Sequence, residues 1–250
     1  MEVTSKQFLA SFMKTYAAGA ALFRPLRELH EDLAERVVKT LRADSATVVD
    51  AGCGNALFFE SLSRRSTQRL NLLGFDVEEE ALCDARERHI ERPFVGIRFA
   101  DLNDGLPVEE NSVDVVVSVN ALYWLKDQQS FFESVRRSLK DGGVFLCVNP
   151  DGGGNPKSLF EKQEEWLRNQ AAIHEVGAWN ALKEQGLLQK SISDNTRIDE
   201  AARRGELRYL KAEELVTLAR AAGYSEVSSE RVYCDTSVLL YAKRIKKEEA

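Results

Sequence analysis

The sequence lacks long hydrophobic runs and an excess of positive charge. No stretch of its 250 residues approaches the roughly 18 consecutive apolar residues of a transmembrane helix, so we expect no membrane span. Near the N-terminus Lys6 and Lys14 interrupt the apolar residues, which argues against a signal peptide and favours a cytoplasmic protein. The 34 Lys and Arg residues are outnumbered by 40 Asp and Glu, and this balance argues against a nucleic-acid partner.

Cysteine and histidine are also scarce. The four cysteines, Cys53, Cys83, Cys147 and Cys234, form no CxxC pair, which predicts reduced thiols and excludes metal or redox sites of that spacing. With three histidines, a His-rich metal site is excluded, and we expect no bound metal. The hydrophobic share of 44% is that of a globular protein, which excludes disorder over most of the chain.

The apolar spacing divides the chain into four segments. Residues 1–45 are predicted to form two helices that are part of a mobile lid. Short apolar runs alternate with helical stretches over 46–150 and again over 209–245, which indicates a mostly parallel sheet covered by helices on both faces. A short turn joins the last two strands and therefore requires them to be antiparallel. Residues 151–208 are helical and polar and are predicted to form a cap insert over a site.

Smaller features complete this prediction. The helix over 128–143 is expected to end at its two glycines, and Pro156 is expected to open the first helix of the insert. The glycines within 151–154 are expected to act as a hinge, and the charged tail after residue 242 to be solvated. Trp166, Trp179, Phe160 and Ile173 are expected either to line an acceptor cavity or to pack the insert.

The strongest chemical signal is a strand that runs into a glycine loop, VVDAGCGNA over 48–56. Glycines allow a sharp turn and close approach of a ligand, and the helix that follows presents free N–H groups. Asp76 ends the next strand, where a carboxylate can accept both hydroxyls of a ribose, although it could instead cap a helix. Asp101 ends the third strand and could accept from an adenine amine or be a solvated loop acid.

In this order the segments resemble the class I S-adenosylmethionine-dependent methyltransferases, most closely their small-molecule branch with a helical cap. The resemblance covers roughly 46–150 and 209–243. It implies a Rossmann-like seven-stranded sheet, mostly parallel, with a terminal antiparallel hairpin. It also implies S-adenosylmethionine as cofactor, a small-molecule acceptor and a monomer or homodimer. One departure is Ala56, which replaces the third glycine of the loop. The other is the slightly long spacing to Asp76.

The resemblance also implies roles for individual residues. The glycine loop would contact the methionine portion with Asp50 ordering the loop, Asp76 would hold the ribose, and Asp101 with Leu102 the adenine. Tyr123 and Trp124 would wall the acceptor pocket, unless they are core residues beneath the cap. The implied cofactor-binding set is Asp50, Gly52, Cys53, Gly54, Asp76, Val77, Asp101, Leu102, Asn120 and Tyr16.

The sequence offers no clear general base. His174, in the insert, is the one histidine expected near the site, and a surface or packing role competes with that interpretation. We therefore expect catalysis by positioning and exclusion of water. A protein or RNA methyltransferase is the main alternative, although NALY stands after the fourth strand where amino-methylating enzymes carry an NPPY-like segment. An NAD-dependent dehydrogenase and a non-catalytic scaffold are more distant alternatives.

Overall fold

The computed structural model describes residues 2–3, 5–153 and 157–245. Gly154 of the predicted hinge, the predicted helix start at Pro156 and most of the charged tail lie outside the described residues. The helices are α1 (Lys6–Ala20), α2 (Arg24–Thr40), α3 (Leu57–Arg65), α4 (Glu79–Arg88), α5 (Gln128–Ser138), α6 (Lys157–Asn169), α7 (Ile173–Glu184), α8 (Leu187–Arg203) and α9 (Ala212–Ala221). The strands are β1 (Ser45–Ala51), β2 (Arg69–Asp76), β3 (Val95–Phe99), β4 (Val113–Val119), β5 (Leu139–Pro150), β6 (Glu226–Val232) and β7 (Ser237–Lys243).

The seven strands form one sheet in the order β3-β2-β1-β4-β5-β7-β6. Strands β1 to β5 are mutually parallel, and β7 runs antiparallel to both β5 and β6. This confirms the predicted mostly parallel sheet with a terminal antiparallel hairpin. The strand order reverses between β1 and β4, and open α/β sheets bind ligands at such a switch point, outside the carboxyl ends of the strands.

Both faces of the sheet are covered because neighbouring residues of a strand point to opposite sides. In β1, Val48 packs into the cluster formed with α2 and α3, whereas Val49 packs into the cluster formed with α5 and α9. The β-branched sequence of β4 suits a strand buried on both faces, and its three consecutive valines, 115–117, are 0–1% exposed.

The boundary between α5 and β5 differs from the prediction. The helix ends at Ser138, before the glycines, because Leu139 is already extended and pairs with Val113 of β4. Gly142 and Gly143 lie inside β5, next to an irregularity in the register with β4. The glycines therefore accommodate a bulge in the strand rather than end the helix.

A third apolar cluster joins the N-terminal helix to the insert. Phe8 and Phe12 of α1 pack with Ile198 of α8 and with Tyr123, which follows β4. Helix α2 differs from α1, because its apolar stripe is part of the cluster that covers the sheet. Of the segment 1–45, therefore, α1 packs with the insert and α2 packs with the core.

Helix α2 also forms the seat of the insert. The ring of Phe23 lies against Phe160 of α6 and Trp179 of α7, at centroid distances of 5.5 and 6.1 Å. Gln163 of α6 is fully buried, and its amide accepts from the N–H of Arg24 at 2.7 Å and donates to the carbonyl of Leu22 at 3.2 Å. The insert is thus attached to the core by packed rings and by hydrogen bonds at the start of α2.

Candidate active site

A cavity of about 1650 Å³ lies at the switch point between β1 and β4. Its floor is the glycine loop after β1 and the segment after β4, and α1, α2 and the insert form the other walls. All the residues predicted to bind cofactor, together with Tyr123 and Trp124, line this cavity. His174 is the exception: it lies exposed on α7 and is not among the lining residues.

The glycine loop is held in a conformation that requires its glycines. Gly52 and Gly54 have φ of +84° and +50°, where glycine is favoured over other residues. A Cβ on Gly52 would lie 2.3 Å from the Cβ of Ala121, so a side chain there would clash. The N–H groups of Gly52 and Cys53 donate to the carbonyl of Phe75 at 2.8 and 3.0 Å, which ties the loop to the end of β2.

Ala56, at the position of the missing third glycine, has φ +55° and is fully buried at the start of α3. The backbone therefore keeps the left-handed conformation that a glycine would adopt there. An alanine at positive φ costs about 1–2 kcal/mol, and the buried methyl group offsets part of that cost by packing in the core.

The Asp76 carboxylate organises the ends of both β1 and β2. Its Oδ2 accepts from the N–H of Gly54 at 2.8 Å, and its Oδ1 accepts from Val77 and Glu78 at 2.8 and 3.0 Å. Burial raises the pKa of Asp76, and the three N–H groups act in the opposite direction because they favour the charged form. Asp76, expected to hold ribose or to cap a helix, therefore also orders the glycine loop.

Asp50 does not order the loop, contrary to the prediction. Its side chain is 3% exposed, faces the cavity and makes no hydrogen bond to any residue in the described ranges. Burial, and to a smaller extent the nearby charge of Asp76, raises the pKa of Asp50 to about 8. A buried carboxylate without a partner is costly, so this position favours a cationic ligand.

The segments that follow β3 and β4 also place polar residues at the edge of the cavity. Asp101 is exposed, and its Oδ1 accepts from the backbone and side-chain N–H groups of Asn103 at 2.9 and 2.8 Å. Leu102 is buried beneath it and begins a short 3-10 helix. Asn120, at the end of β4, has φ +56°, and its N–H donates to the carbonyl of Val148.

Aromatic rings cover the segment after β4. The ring of Tyr123 lies 5.1 Å from Trp124 and 5.3 Å from Tyr209, edge-on to the latter. The Tyr209 hydroxyl donates to Asp199 of α8 at 2.7 Å.

Burial, with smaller contributions from Tyr123 and Asp50, raises the pKa of the Tyr16 phenol, so Tyr16 is a neutral hydrogen-bonding group above the loop.

The structure divides the four insert residues that were expected to share one role. Phe160 and Trp179 line the cavity, but Trp166 and Ile173 do not. The Trp166 ring is covered instead by the guanidinium groups of Arg24 and Arg27, at 5.9 and 5.0 Å from the ring centroid, and Ile173 is 92% exposed. Periodicity could not separate them, because each is an apolar residue on a polar helix.

Sequence reasoning missed several polar residues of the cavity, and His30 is one of them. His30 of α2 lines the cavity and is 7% exposed, although its neighbours in sequence are charged. The available signal was its spacing of four residues from Leu26, which places both on one face of the helix.

Within the described residues, no group of three or more His, Cys, Asp or Glu side chains could hold a metal ion. Likewise, none of the helices in those ranges is both long and apolar enough to span a membrane. All four cysteines are unpaired, with Cys53 and Cys147 buried.

Residues 49–147, which carry the glycine loop and strands β2 to β4, match the methyltransferase domain family. A protein of Mycolicibacterium smegmatis named as a probable S-adenosylmethionine-dependent methyltransferase is 34% identical over 144 residues, covering 54% of this chain and 51% of that one. Residues 49–147 therefore carry a methyltransferase domain of the S-adenosylmethionine-dependent type. The cofactor of such domains is S-adenosylmethionine.

Other relatives of this methyltransferase have different names. The malonyl-[acyl-carrier protein] O-methyltransferase of Hahella chejuensis is 26% identical, covering 61% of this chain and 53% of that protein. The mouse arginine-hydroxylase NDUFAF5 is 33% identical, covering 48% and 33%. The matches thus span about half of these relatives or less. A crystal structure of a methyltransferase from Aquifex aeolicus has the same fold, with a TM-score of 0.60, 16% identity, and coverage of 94% and 98%.

The residues at the cavity floor fit this cofactor. S-adenosylmethionine carries positive charge on its sulfonium and ammonium groups, and Asp50 is a buried carboxylate without a partner. Asn55 adds a buried side-chain Nδ2 that makes no hydrogen bond within the described chain. Gly52 and Gly54 both line the cavity, and without side chains they leave the loop backbone accessible to a ligand.

Proposed function

We propose that this protein transfers a methyl group from S-adenosylmethionine to a small-molecule acceptor held between the cavity floor and the insert. The observation that carries the proposal is the buried carboxylate of Asp50, which has no hydrogen-bond partner among the described residues and lies beside a loop that places Gly52 and Gly54 at the cavity. When bound, the cofactor supplies an activated methyl group. The protein must then position the acceptor and exclude water.

Each part of the cavity floor has a proposed binding role. Asp76 would accept from the ribose hydroxyls through lone pairs not used by its backbone partners, and Val77 would lie beside the ribose. Asp101 and Leu102 would hold the adenine. Gly52 to Gly54, including Cys53, would contact the methionine portion, and Asp50 would neutralise its charge. Asn120 and Tyr16 would lie near the methyl group.

A small-molecule acceptor is supported by the walls opposite this floor. They come from α1, α2 and the insert and carry an aromatic cluster that includes Phe12, Phe23, Phe160 and Trp179. Rings packed around an enclosed space suit a compact ligand better than a peptide or nucleic-acid strand. Tyr123 and Trp124 would separate the acceptor from the remainder of the cavity. The relatives' names cover both carrier-linked and other acceptors, so the acceptor rests on this geometry.

The binding proposal is tested by calorimetry with three ligands. We expect S-adenosylmethionine and S-adenosylhomocysteine to bind with one site per chain and NADH not to bind, because the loop has no third glycine and the cavity offers a carboxylate for a cation. Detection of S-adenosylhomocysteine release with candidate acceptors then tests transfer. Preference for NADH, or no binding of either sulfur ligand, would sink the proposal.

We further propose that α1 and α6–α8 form a lid and that α2 is its fixed seat. Half-exposed ion pairs connect lid and seat, with Lys162 to Glu28 at 2.6 Å and Arg27 to Glu175 at 3.2 Å. Such pairs contribute little and can re-form easily. The space above the floor must open for ligand entry, and closure would exclude water.

Hydrogen exchange of the free and S-adenosylhomocysteine-bound protein checks the lid. In the free protein we expect amides of α1 and α6–α8 to exchange at least 100-fold faster than those of β4, and to slow when the ligand binds. Strand β4 is the internal reference, because its residues are buried on both faces. Exchange over 157–203 as slow as in β4 before ligand is added would mean that the insert is rigid.

A further inference from the structure

One wall of the cavity belongs to a single face of α2. Leu26 and His30 are four residues apart, so they lie above one another on the helix, and both line the cavity together with Phe23, which immediately precedes the helix. Leu57 and Phe58 of α3 continue this wall. His30 is the polar group of an otherwise apolar surface.

The imidazole of His30 lacks the partner that a buried polar group normally has. The ring packs edge-on against Phe58 at a centroid distance of 6.1 Å, and within the described residues neither nitrogen makes a hydrogen bond. Burial lowers the pKa of His30 to about 4, so the ring is neutral near pH 7 and presents one donor and one acceptor nitrogen. Buried polar groups are nearly always hydrogen-bonded, so an unpaired one that faces a cavity points to a ligand.

The second buried histidine shows what a structural role looks like here. His89 also packs edge-on against a phenylalanine, Phe59, at 6.1 Å, but its Nε2 hydrogen-bonds the carbonyl of Ala56 at 3.2 Å. His89 does not line the cavity. The Nδ1 of His89 is buried without a partner among the described residues. The two histidines therefore have similar ring packing, and the difference between them is that only His30 faces the cavity.

The wall that carries His30 is continuous with the aromatic surface of the insert. Phe23, immediately before α2, contacts both Phe160 and Trp179, and these rings line the cavity as well. The groups proposed for adenine and ribose, Asp101 and Asp76, come instead from the ends of β3 and β2. His30 thus belongs to the part of the cavity assigned to the acceptor.

We infer that His30 contacts the acceptor directly, and that the acceptor is a largely apolar molecule bearing an uncharged hydroxyl or amine that hydrogen-bonds this imidazole. The inference rests on the proposed function, because it uses the same cavity. A charged group at this position would be desolvated among leucine and phenylalanine side chains without a counter-ion. A site built around one buried hydrogen bond rejects molecules of the same shape that lack the matching group.

The test compares two probes with the same ring system, 2-naphthol and naphthalene. Their affinities are measured by fluorescence for the protein saturated with S-adenosylhomocysteine, in the natural sequence and in His30→Phe, His30→Gln and His174→Phe. We expect 2-naphthol to bind the natural protein about tenfold more tightly than naphthalene, as one hydrogen bond allows. His30→Phe should remove this preference, His30→Gln should restore part of it, and His174→Phe, on an exposed face, should leave it unchanged.

The imidazole signals give a direct second readout. In a ¹⁵N-labelled protein, binding of 2-naphthol should shift the His30 ring nitrogens, assigned from His30→Gln, and should not shift those of His174. An equal preference for 2-naphthol in the natural protein and in both His30 variants would overturn the inference. So would a failure of both probes to bind a protein that binds S-adenosylhomocysteine. Loss of S-adenosylhomocysteine binding itself would instead count against the proposed function.

Discussion

Asp50→Asn is expected to weaken the binding of S-adenosylmethionine by about 100-fold or more. Within the described residues this carboxyl group is buried without a hydrogen-bond partner, and a bound cation would stabilise its charged form. Removing one member of a buried ion pair costs about 3–5 kcal/mol. The asparagine has the same shape, so the fold should persist. Asp84→Asn, which removes an exposed acid of α4 outside the cavity, is the matched control and should bind as the natural protein does.

The same carboxylate makes cofactor binding depend on pH. In the free protein the pKa of Asp50 is about 8, whereas a bound cation favours the carboxylate and lowers that pKa. We therefore expect affinity to rise between pH 6 and pH 9, with release of about one proton per ligand at the lower end. Calorimetry in two buffers of different ionisation enthalpy counts the protons. Constant affinity over this range, without proton release, would contradict the role of Asp50.

The stability of the free protein should show the opposite trend. Because folding raises the pKa of Asp50 above its ordinary value, the folded state binds the proton more tightly than the unfolded chain. This contribution to the free energy of unfolding is complete below pH 4 and is lost as pH rises through about 8. Asp50→Asn lacks it, so the variant should gain stability relative to the natural protein between pH 5 and pH 9.

Asp76→Ala is expected to affect both the cofactor and the fold. Its carboxylate accepts three backbone N–H groups, from Gly54, Val77 and Glu78, and the sequence alone suggested only a ligand contact or a helix cap. Hydrogen bonds to charged groups contribute about 1.5–3 kcal/mol each, and partial hydration of the freed N–H groups reduces the loss. We expect the free energy of unfolding to fall by about 2–4 kcal/mol and S-adenosylmethionine to bind at least 10-fold more weakly.

Two variants separate these effects. Asp76→Asn keeps an oxygen for Val77 and Glu78 but cannot accept a hydrogen bond from Gly54. Its stability should therefore lie between that of Asp76→Ala and that of the natural protein. Asp101→Ala removes an exposed acid whose Oδ1 accepts hydrogen bonds from Asn103. This variant should bind the cofactor more weakly, with little change in stability. Denaturant unfolding and calorimetry measure the two quantities. If Asp76→Ala had the stability and the S-adenosylmethionine affinity of the natural protein, both assigned roles would be contradicted.

The local sequence pattern was sufficient to predict the sheet and most of the residues at the cavity floor. Short β-branched runs predict buried strands, and the carboxyl ends of parallel strands must meet at one edge, which brings Asp50, Asp76 and Asp101 together. The end of α5 was missed because Leu139 is recruited into β5 by pairing with β4, a contact distant in sequence from the glycines that suggested a helix stop.

Features that depend on packing between distant segments could not be predicted. Nothing in the order of the residues shows that Asp76, rather than Asp50, bonds the N–H of Gly54, because both acids end neighbouring strands. The histidines were similarly ambiguous. His174 belongs to the segment expected to cover the site but faces solvent, whereas His30 lies among charged residues and faces the cavity because α2 packs between the sheet and the insert.

A crystal structure of the S-adenosylhomocysteine complex tests the central claim most directly. We predict that the ligand lies across the glycine loop, with its ribose hydroxyls on Asp76, its adenine beside Asp101 and Leu102, and its amino group within 4 Å of the Asp50 carboxylate. The chamber walled by α2, α6 and α7 should remain free for the acceptor. A ligand bound in that chamber, or one whose ribose does not contact Asp76, would contradict the account.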